Sequence, residues 1–199
     1  MKNFRKIFLL FISLPAASLL NAQAFGDGKN IIALGFGFPA TTTIQNTFDN
    51  YKSYIDYNFK NYGTVVLKYE HGLQKYFGLG LNFDYSAASV SYKYDNSNAL
   101  RYQVNIKSKV LGSYLRLNGH FPIGNKLDIY GGVGLGYLYE IDNYDDNNPN
   151  TTTSHKTSVL NFDYQLTLGV RYMLKDHFGL FAEGGHATTN AQLGIALGF

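Results

Sequence analysis

Seven charged residues have a spacing that suits an internal ion-pair network. Each stands on the polar side of a stretch in which apolar and polar residues alternate. They are Lys68, Glu70, Asp84, Arg116, Asp163, Arg171 and Glu183. A buried charge without a partner is costly, so an enclosed polar face requires the two signs to pair. We therefore expect the three cations to interleave with the four carboxylates as a structural network that fills the space they share.

Catalysis finds little support among the five histidines. A nucleophilic triad needs a serine, a histidine and an acid that meet in space. Ser86 and His186 are the least unfavourable candidates, and Glu183 lies near His186, but no serine neighbours His186 in the sequence. We expect no catalytic residues, and a hydrolase or acyltransferase ranks behind every non-enzymatic interpretation.

Metal and cofactor sites are not indicated either. Asp142, Asp145 and Asp146 form an acidic cluster, but they lack the ordered ligand spacing and the glycine of a helix-loop-helix calcium site. The glycine-rich residues 131–136 resemble a phosphate loop only superficially, because a strand-like pattern follows them where that loop requires a helix. The chain has no cysteine, so a disulfide and a thiolate metal site are excluded. We expect no metal and no cofactor.

Alternating strands must position the charged residues. From about residue 29 onward the chain repeats with period two, most clearly in residues 77–86, where large apolar side chains alternate with glycine and polar ones. The pattern predicts about eight strands. Short connections near residues 72–75, 121–126 and 174–176 alternate with longer polar stretches, which predicts an up-and-down arrangement with tight turns at one rim and loops at the other.

The composition of the two faces indicates which one points outward. One face carries Leu, Ile, Val, Phe and Tyr with few charges, and the other mixes glycine with the seven charged residues. Glycine covers the outside of a soluble barrel poorly, but it relieves crowding in a narrow interior. We therefore expect the apolar face to meet lipid. A soluble, lipocalin-like ligand binder, with apolar faces inward, is an alternative that alternation alone leaves open.

The amino end has the features of an export signal. Lys2, Arg5 and Lys6 precede an apolar stretch over residues 7–20, and Ala22 and Ala24 provide a small-x-small cleavage site. We expect residues 1–24 to be a signal peptide and residues 25–199 to be one barrel domain. Beyond the leader no apolar run approaches the ~18 residues of a spanning helix, so a membrane crossing would use strands.

The last strand completes a resemblance to a known family. Apolar residues alternate up to a terminal aromatic residue, through Leu193, Ile195, Leu197 and Phe199. Together with the leader, the alternating strands and the loop asymmetry, this ending resembles the small outer-membrane barrels of Gram-negative bacteria, of the OmpX and OmpA membrane-domain type within the porin family. The resemblance implies an all-β, eight-stranded, antiparallel, up-and-down transmembrane β-barrel in the outer membrane.

The resemblance also implies partners. The four residues Leu193, Ile195, Leu197 and Phe199 match the signal that the barrel-assembly machinery reads in that family. We expect contact with outer-membrane lipid, a transient encounter with the assembly machinery, and a monomer. The net charge is +3, and three of the cations belong to the leader, so no nucleic-acid partner is expected.

A non-enzymatic structural or surface-interaction role is the leading functional expectation. The loops predicted at residues 41–60, 92–102 and 143–156 would meet the outside or an extracellular partner, and the second is the tip of a predicted long hairpin that turns at residues 95–98 and projects beyond the membrane. An aromatic run in the first of them is the candidate binding surface: Tyr51, Tyr54, Tyr57 and Phe59. An extension of the second strand above the membrane is the alternative interpretation of this run. The alternatives are a narrow passive channel, although eight strands leave an interior only wide enough for their own side chains, and a lipid A-modifying barrel enzyme.

Overall fold

Eight antiparallel strands close into one barrel. The computed structural model describes residues 24–38, 48–95, 100–150 and 154–199. The strands are β1 Asn30–Gly37, β2 Ile55–Gln74, β3 Phe77–Asp95, β4 Arg101–Ile123, β5 Leu127–Asp146, β6 Ser154–Lys175, β7 Phe178–His186 and β8 Ala191–Gly198. Each pairs with its neighbours in sequence, and β1 pairs with β8 to complete the circle. The all-β, eight-stranded, up-and-down architecture is confirmed. No helix within the described ranges is long and apolar enough to span a membrane.

Tight turns join the strands at one rim. The β4–β5 turn closes on the pair Ile123↔Leu127, and Gly124 in it has a φ of 61°, a left-handed conformation that favours glycine. The start of β1 and the end of the chain also meet at this rim, where Asn30 and Phe199 exchange backbone hydrogen bonds of 2.8 and 2.9 Å. The predicted short connections are thus found where the alternation of loop lengths placed them.

Strand length divides the barrel into two parts. We call the first part the ring: it comprises β1, β7 and β8 with residues 64–74, 77–86, 111–123, 127–139 and 160–175, and its outward side chains are mainly apolar. The second part, the extension, comprises residues 55–63, 87–95, 101–110, 140–146 and 154–159 of the five long strands together with residues 48–54. The extension begins where β1 stops pairing, at Gly37↔Thr64.

The ring has polar side chains inside and apolar side chains outside. Along β4, for example, Tyr114, Arg116 and Asn118 are buried in the barrel, whereas Leu115 and Leu117 point outward and are about half exposed. Exposed apolar side chains surround the whole ring. A surface of this kind is stable in contact with lipid and unfavourable in water.

The extension has the opposite polarity. On the same strand β4, Val104, Ile106 and Val110 are buried inside, and Lys107 and Lys109 are exposed outside. Its buried apolar side chains form one cluster, which also reaches Tyr114 and Leu138 at the top of the ring: Phe48, Ala88, Val90, Tyr92, Val104, Ile106 and Val110. The extension therefore resembles a sheet of a water-soluble protein, with its core on the concave side.

The strands extend farther than the predicted loops allow. β3 and β4 pair up to Asp95↔Arg101, which agrees with the predicted long hairpin and makes the loop shorter than residues 92–102. Residues 55–60 of the first predicted loop, and residues 143–146 and 154–156 of the third, are also strand. The polar outer face of the extension interrupts the apolar alternation, which is why strands in water were interpreted as loops.

Candidate functional site

A chain of ion pairs occupies the middle of the ring. Lys68 on β2 and Arg116 on β4 both reach Glu183 on β7, with nitrogen–oxygen distances of 2.7 and 2.9 Å. Arg116 also donates to the Thr167 hydroxyl at 2.7 Å, and Gln192 donates to Glu183 at 2.6 Å. Alternation places all five side chains inside, and ring closure brings β7 opposite β2 and β4. Glu183 is therefore shared by two cations.

A second cluster lies nearer the tight turns. Arg171 on β6 donates to Glu70 at 3.0 Å and to Asp128 at 3.3 Å. His120 stands between the same two carboxylates, with Nε2 2.8 Å from Glu70 and Nδ1 2.9 Å from Asp128. His120 and Asp128 were missed in the sequence, although both stand on the inward side of their strands, in step with Arg116 and Tyr130. That inward position was the signal that could have identified them.

Two of the predicted network residues bond to neutral partners. Asp84 accepts hydrogen bonds from Asn82 at 2.8 Å and Gln165 at 3.1 Å. Asp163 accepts one from the Tyr114 hydroxyl at 2.7 Å. Neither carboxylate is within ion-pair distance of a lysine or arginine in the described ranges. The structure thus brings Lys68, Glu70, Arg116, Arg171 and Glu183 into ion pairs, and it places Asp84 and Asp163 in the polar layer above them.

Both ends of the ring's interior are filled. At the tight-turn end the Phe25 ring is fully buried and stacks on His120, with 3.4 Å between ring centroids. At the other end Tyr114 lies 3.1 Å from the hydroxyl of Thr188, which belongs to the β7–β8 connection. The cavity among the ion pairs measures about 20 Å³, enough for about one water molecule. The interior of the ring is packed, with polar side chains around the ion pairs and a small apolar cluster of Phe25, Ile31, Ala33, Phe181 and Ala196.

The predicted leader lies almost entirely outside the described residues. Ala24 is described and is buried, next to Phe25, whereas Ala22 is outside the described residues. Cleavage after Ala24 stays a prediction. The side chains of the predicted assembly signal, Leu193, Ile195 and Leu197, are exposed on the outer surface of β8.

The candidate catalytic pair is not assembled. Ser86 is buried inside the barrel, where its hydroxyl lies 2.6 Å from that of Thr64. His186 is exposed and packs on the outward-facing ring of Tyr164 at 4.7 Å between centroids. The barrel wall separates the two side chains, so this hydrolase hypothesis is wrong. Successive strand residues point to opposite faces, and the alternation already put Ser86 and His186 on different ones.

The acidic cluster does not converge on one point. Asp142 lies on the inward side of β5, whereas Asp145 is exposed on the outer side. Asp146 accepts a hydrogen bond from the Tyr94 hydroxyl at 2.9 Å. Among the residues that the structure describes, no group of three or more histidine and acidic side chains is placed to hold a metal ion.

The aromatic residues of the first predicted loop pack into the extension. Tyr51 and Tyr54 cover Tyr92, at centroid distances of 4.8 and 4.7 Å, and Phe48 contacts Phe59 at 5.7 Å. Burial raises the pKa of the Tyr92 hydroxyl above its ordinary value. Tyr57 and Phe59 are on β2 and partly buried against the same core. These rings stabilise the extension, and Tyr54 is the member that remains exposed.

The extension has an open edge at β6. Residues 154–165 of β6 pair with β5, but pairing with β7 begins only at Leu166↔His186, and no other described strand lies against this edge. Side chains on both faces are exposed from Ser154 to Phe162. Val159, which points to the concave side, is 47% exposed. The apolar core covers the β3–β4 part of the sheet and leaves this edge accessible.

Comparison with known proteins identifies one family and several similar solved structures. A family model described as "Outer membrane protein beta-barrel domain" matches residues 8–195. No curated protein sequence matches the chain. Solved structures similar to this chain include the attachment invasion locus protein Ail of Yersinia pestis, in a complex with the heparin analogue sucrose octasulfate, at 13% identity and a TM-score of 0.49, covering 87% of this chain and 99% of that one.

Two structures from Pseudomonas aeruginosa are similar as well. The N-terminal β-barrel domain of OprF has 14% identity and a TM-score of 0.45, over 88% of this chain and 100% of that one. The outer membrane protein OprG has 14% identity and a TM-score of 0.43, over 90% and 99% of the two chains.

Proposed function

The chain belongs to the outer membrane protein beta-barrel domain family, and from this premise we propose that it is a non-enzymatic surface-interaction protein whose extension meets an extracellular partner. Membership of this family assigns it to the outer membrane. The tight-turn rim then faces the periplasm and the extension faces outward, as in other outer-membrane barrels. The observation that carries the proposal is the part of the open β6 edge that lies in the extension, residues 154–159, outside the membrane.

Export and assembly complete this proposal. Residues 1–24 act as the leader, and Leu193, Ile195, Leu197 and Phe199 form the signal for the assembly machinery. The mature protein is a monomer, and the ion-pair network has a structural role. A gel of heated and unheated protein tests the closed barrel: unheated protein should migrate differently, and mobility that is independent of heating would contradict it. Mass measurement of the mature chain tests cleavage after Ala24.

An exposed strand edge suits an extended segment of a partner. On the side away from β5, residues 154–165 of β6 present backbone groups that no described strand pairs. A partner strand can add to such an edge through main-chain hydrogen bonds. Soluble proteins normally protect a long edge of this kind. The described edge carries Lys156 as its one lysine, and Lys156 lies on the outer face.

Lysine substitutions at the edge test this role. Thr157→Lys with Val159→Lys places charges on the concave side of β6, where they hinder strand addition. The control Ser154→Lys with Ser158→Lys adds the same charge on the outer face of the same strand. Binding of cells that display each variant to an array of immobilised extracellular-matrix and secreted proteins is the measurement.

We expect a protein on the array to bind the wild type and the control at least about tenfold better than the edge variant. Amide hydrogen exchange should then show protection of residues 154–159 in the complex. Equal binding of all three forms, or protection confined to the β3–β4 tip, would contradict the proposal.

The alternative function, a narrow passive channel, predicts ion conductance. A pore needs a continuous aqueous path, and the interior holds a cavity of about 20 Å³ between Phe25 and Tyr114. We expect no steady conductance from the wild type in planar bilayers. A steady conductance that disappears in Arg116 or Arg171 variants would favour the channel instead.

A further inference from the structure

A groove on the outer surface of the ring lies over Ser113 of β4. Its volume is about 420 Å³, and its walls include Phe83, Tyr85, Leu111, Tyr137, Tyr139 and Leu160. Ser113 is directly opposite Phe83 on one neighbouring strand and Tyr137 on the other. A small side chain between two large rings leaves a recess. Because this surface faces the membrane, the recess is open to acyl chains.

Lysines lie directly beyond this groove on the extracellular side. Lys109 follows Leu111 on the outer face of β4, and Lys107 comes next, about 7 Å farther along the strand. Asn143 lies beside Lys107, and Lys156 lies beside Asn143. Lys107 and Lys156 are therefore about 10 Å apart at the backbone. On the opposite side of Lys107, Ser89 of β3 lies beside it, and Lys60 of β2 lies beside Ser89, so Lys60 belongs to the same row across the strands.

These lysines have no acidic partners within the described ranges. The ion pairs found there join other cations, such as Lys52 with Asp49 and Lys93 with Asp56. The exposed carboxylate of this part of the outer face, Asp145, stands one row farther from the membrane, opposite Asn105 and Ser154. Four cations that face outward without described partners form a surface complementary to a multiply charged anion.

We propose that the groove and the lysines together bind a phosphorylated, multiply acylated glycolipid of the outer leaflet, of the lipid A class. An acyl chain occupies the groove over Ser113, and a phosphate group lies against Lys107, Lys109 and Lys156. Apolar contact positions the lipid, and the lysines recognise the headgroup as point charges. The site shares Lys156 and Leu160 with the β6 edge, but it uses their outward side chains and not the unpaired backbone groups of that edge, so it does not depend on the protein partner proposed above.

A second groove provides an internal comparison. It measures about 640 Å³, lies across β6, β7, β8 and β1, and is lined by Leu168, Ala182 and Leu193 among others. The β7–β8 connection at its extracellular end reads Ala-Thr-Thr-Asn over residues 187–190 and has no cation. This groove can accept an acyl chain, but its described surroundings offer no lysine or arginine for a phosphate. It therefore supplies a matched control.

Native mass spectrometry of the full-length expressed protein, purified in detergent, tests the site. The probes are diphosphoryl lipid A and the same lipid after removal of its phosphates. We expect the wild type to retain the phosphorylated form at least about tenfold more strongly. Lys107→Gln with Lys109→Gln and Lys156→Gln should lose this preference, at roughly fivefold per lysine. The control Lys75→Gln with Lys126→Gln and Lys175→Gln removes the same charge at the periplasmic turns and should retain it.

The groove is tested separately from the charges. Ser113→Phe fills the recess and should weaken retention of lipid A, whereas Ala182→Phe fills the other groove and should not. Heat-dependent gel mobility verifies that each variant is a closed barrel. Equal retention of the two lipid forms, equal loss in both triple variants, or displacement of lipid A by millimolar inorganic phosphate would overturn the proposal. The last outcome would mean that free phosphate suffices and the acyl groove contributes nothing.

Discussion

The two halves of β4 alternate in the same way, but the polar and apolar faces are exchanged between them. Residues 111–123 bury polar side chains and expose leucines, whereas residues 101–110 bury valine and isoleucine and expose lysines. The strand, its pairing and its alternation are continuous through the boundary. What changes is the solvent, from lipid to water. The period of a strand therefore establishes two faces, and the surroundings establish which face each kind of residue must take.

Different forces stabilise the two halves. In the ring, burial of apolar surface from water contributes little, since the outside meets lipid, and ion pairs and hydrogen bonds hold the interior together. In the extension, a core around Val90, Val104 and Ile106 is removed from water as in a soluble protein. The two regions should consequently respond differently to the same kind of mutation.

The largest effect is expected from breaking the ring's network. Arg171→Ala leaves Glu70 and Asp128 buried without their shared guanidinium. Removal of one partner of a buried ion pair costs about 3–5 kcal/mol. We expect a loss of that size in the free energy of unfolding in lipid bilayers, measured by urea titration with the heat-dependent mobility shift. The exposed pair Asp95–Arg101 in the extension is the control: solvent screens this pair, so Arg101→Ala should change the free energy of unfolding far less.

A single charge placed on the outer face should distinguish lipid from water. Leu115→Arg puts a guanidinium against lipid and should reduce the free energy of unfolding by about 2–4 kcal/mol. Gln103→Arg introduces an arginine on the same outer face of β4, but in the extension. There we expect the free energy of unfolding to change by no more than about 0.5 kcal/mol. Equal losses at the two positions would show that the extension also lies in lipid and not in water.

Truncation of a valine should destabilise the extension more than the ring. Val90 is buried in the extension at 1% exposure, whereas Val65 faces lipid at 46%. Val90→Ala should cost about 1.5–2 kcal/mol of the local stability of the extension, seen as faster amide exchange there. Val65→Ala should change the stability of the ring much less. Faster exchange throughout the ring in Val90→Ala would indicate that the two regions unfold as one unit.

The smallest effect is a pH dependence confined to the extension. Because burial raises the pKa of Tyr92, the folded state prefers the neutral hydroxyl more than the unfolded state does. This contribution is complete below the ordinary tyrosine pKa of about 10 and declines as the pH rises above it. We expect proteolytic susceptibility of the extension to increase above about pH 10 in the wild type. Tyr92→Phe should show a weaker increase, and an unchanged profile would contradict this origin.

Prediction from the sequence succeeded where one solvent acted on a whole segment. The charged residues of the interior lie on the face that the alternation gives them, although that face also carries apolar side chains such as Ile31 and Phe181. His120 and Asp128 stand on the same face but flank the turn near residues 121–126, where the alternation is interrupted. The sequence left two interpretations of the aromatic run around Tyr51, a binding surface and an extension of the second strand, because its contacts with Tyr92 join segments that are far apart in sequence.

The order of polar and apolar residues along the chain was sufficient to establish an eight-stranded barrel, its tight turns and its polar interior, because alternation and turn composition are local properties. Only the closed structure decided that Glu183 serves both Lys68 and Arg116, and that Ser86 and His186 lie on opposite sides of the wall. It also decided that five strands continue beyond the ring with inverted polarity. Such facts depend on which strands become neighbours and on where lipid gives way to water, and neither is written in any single segment.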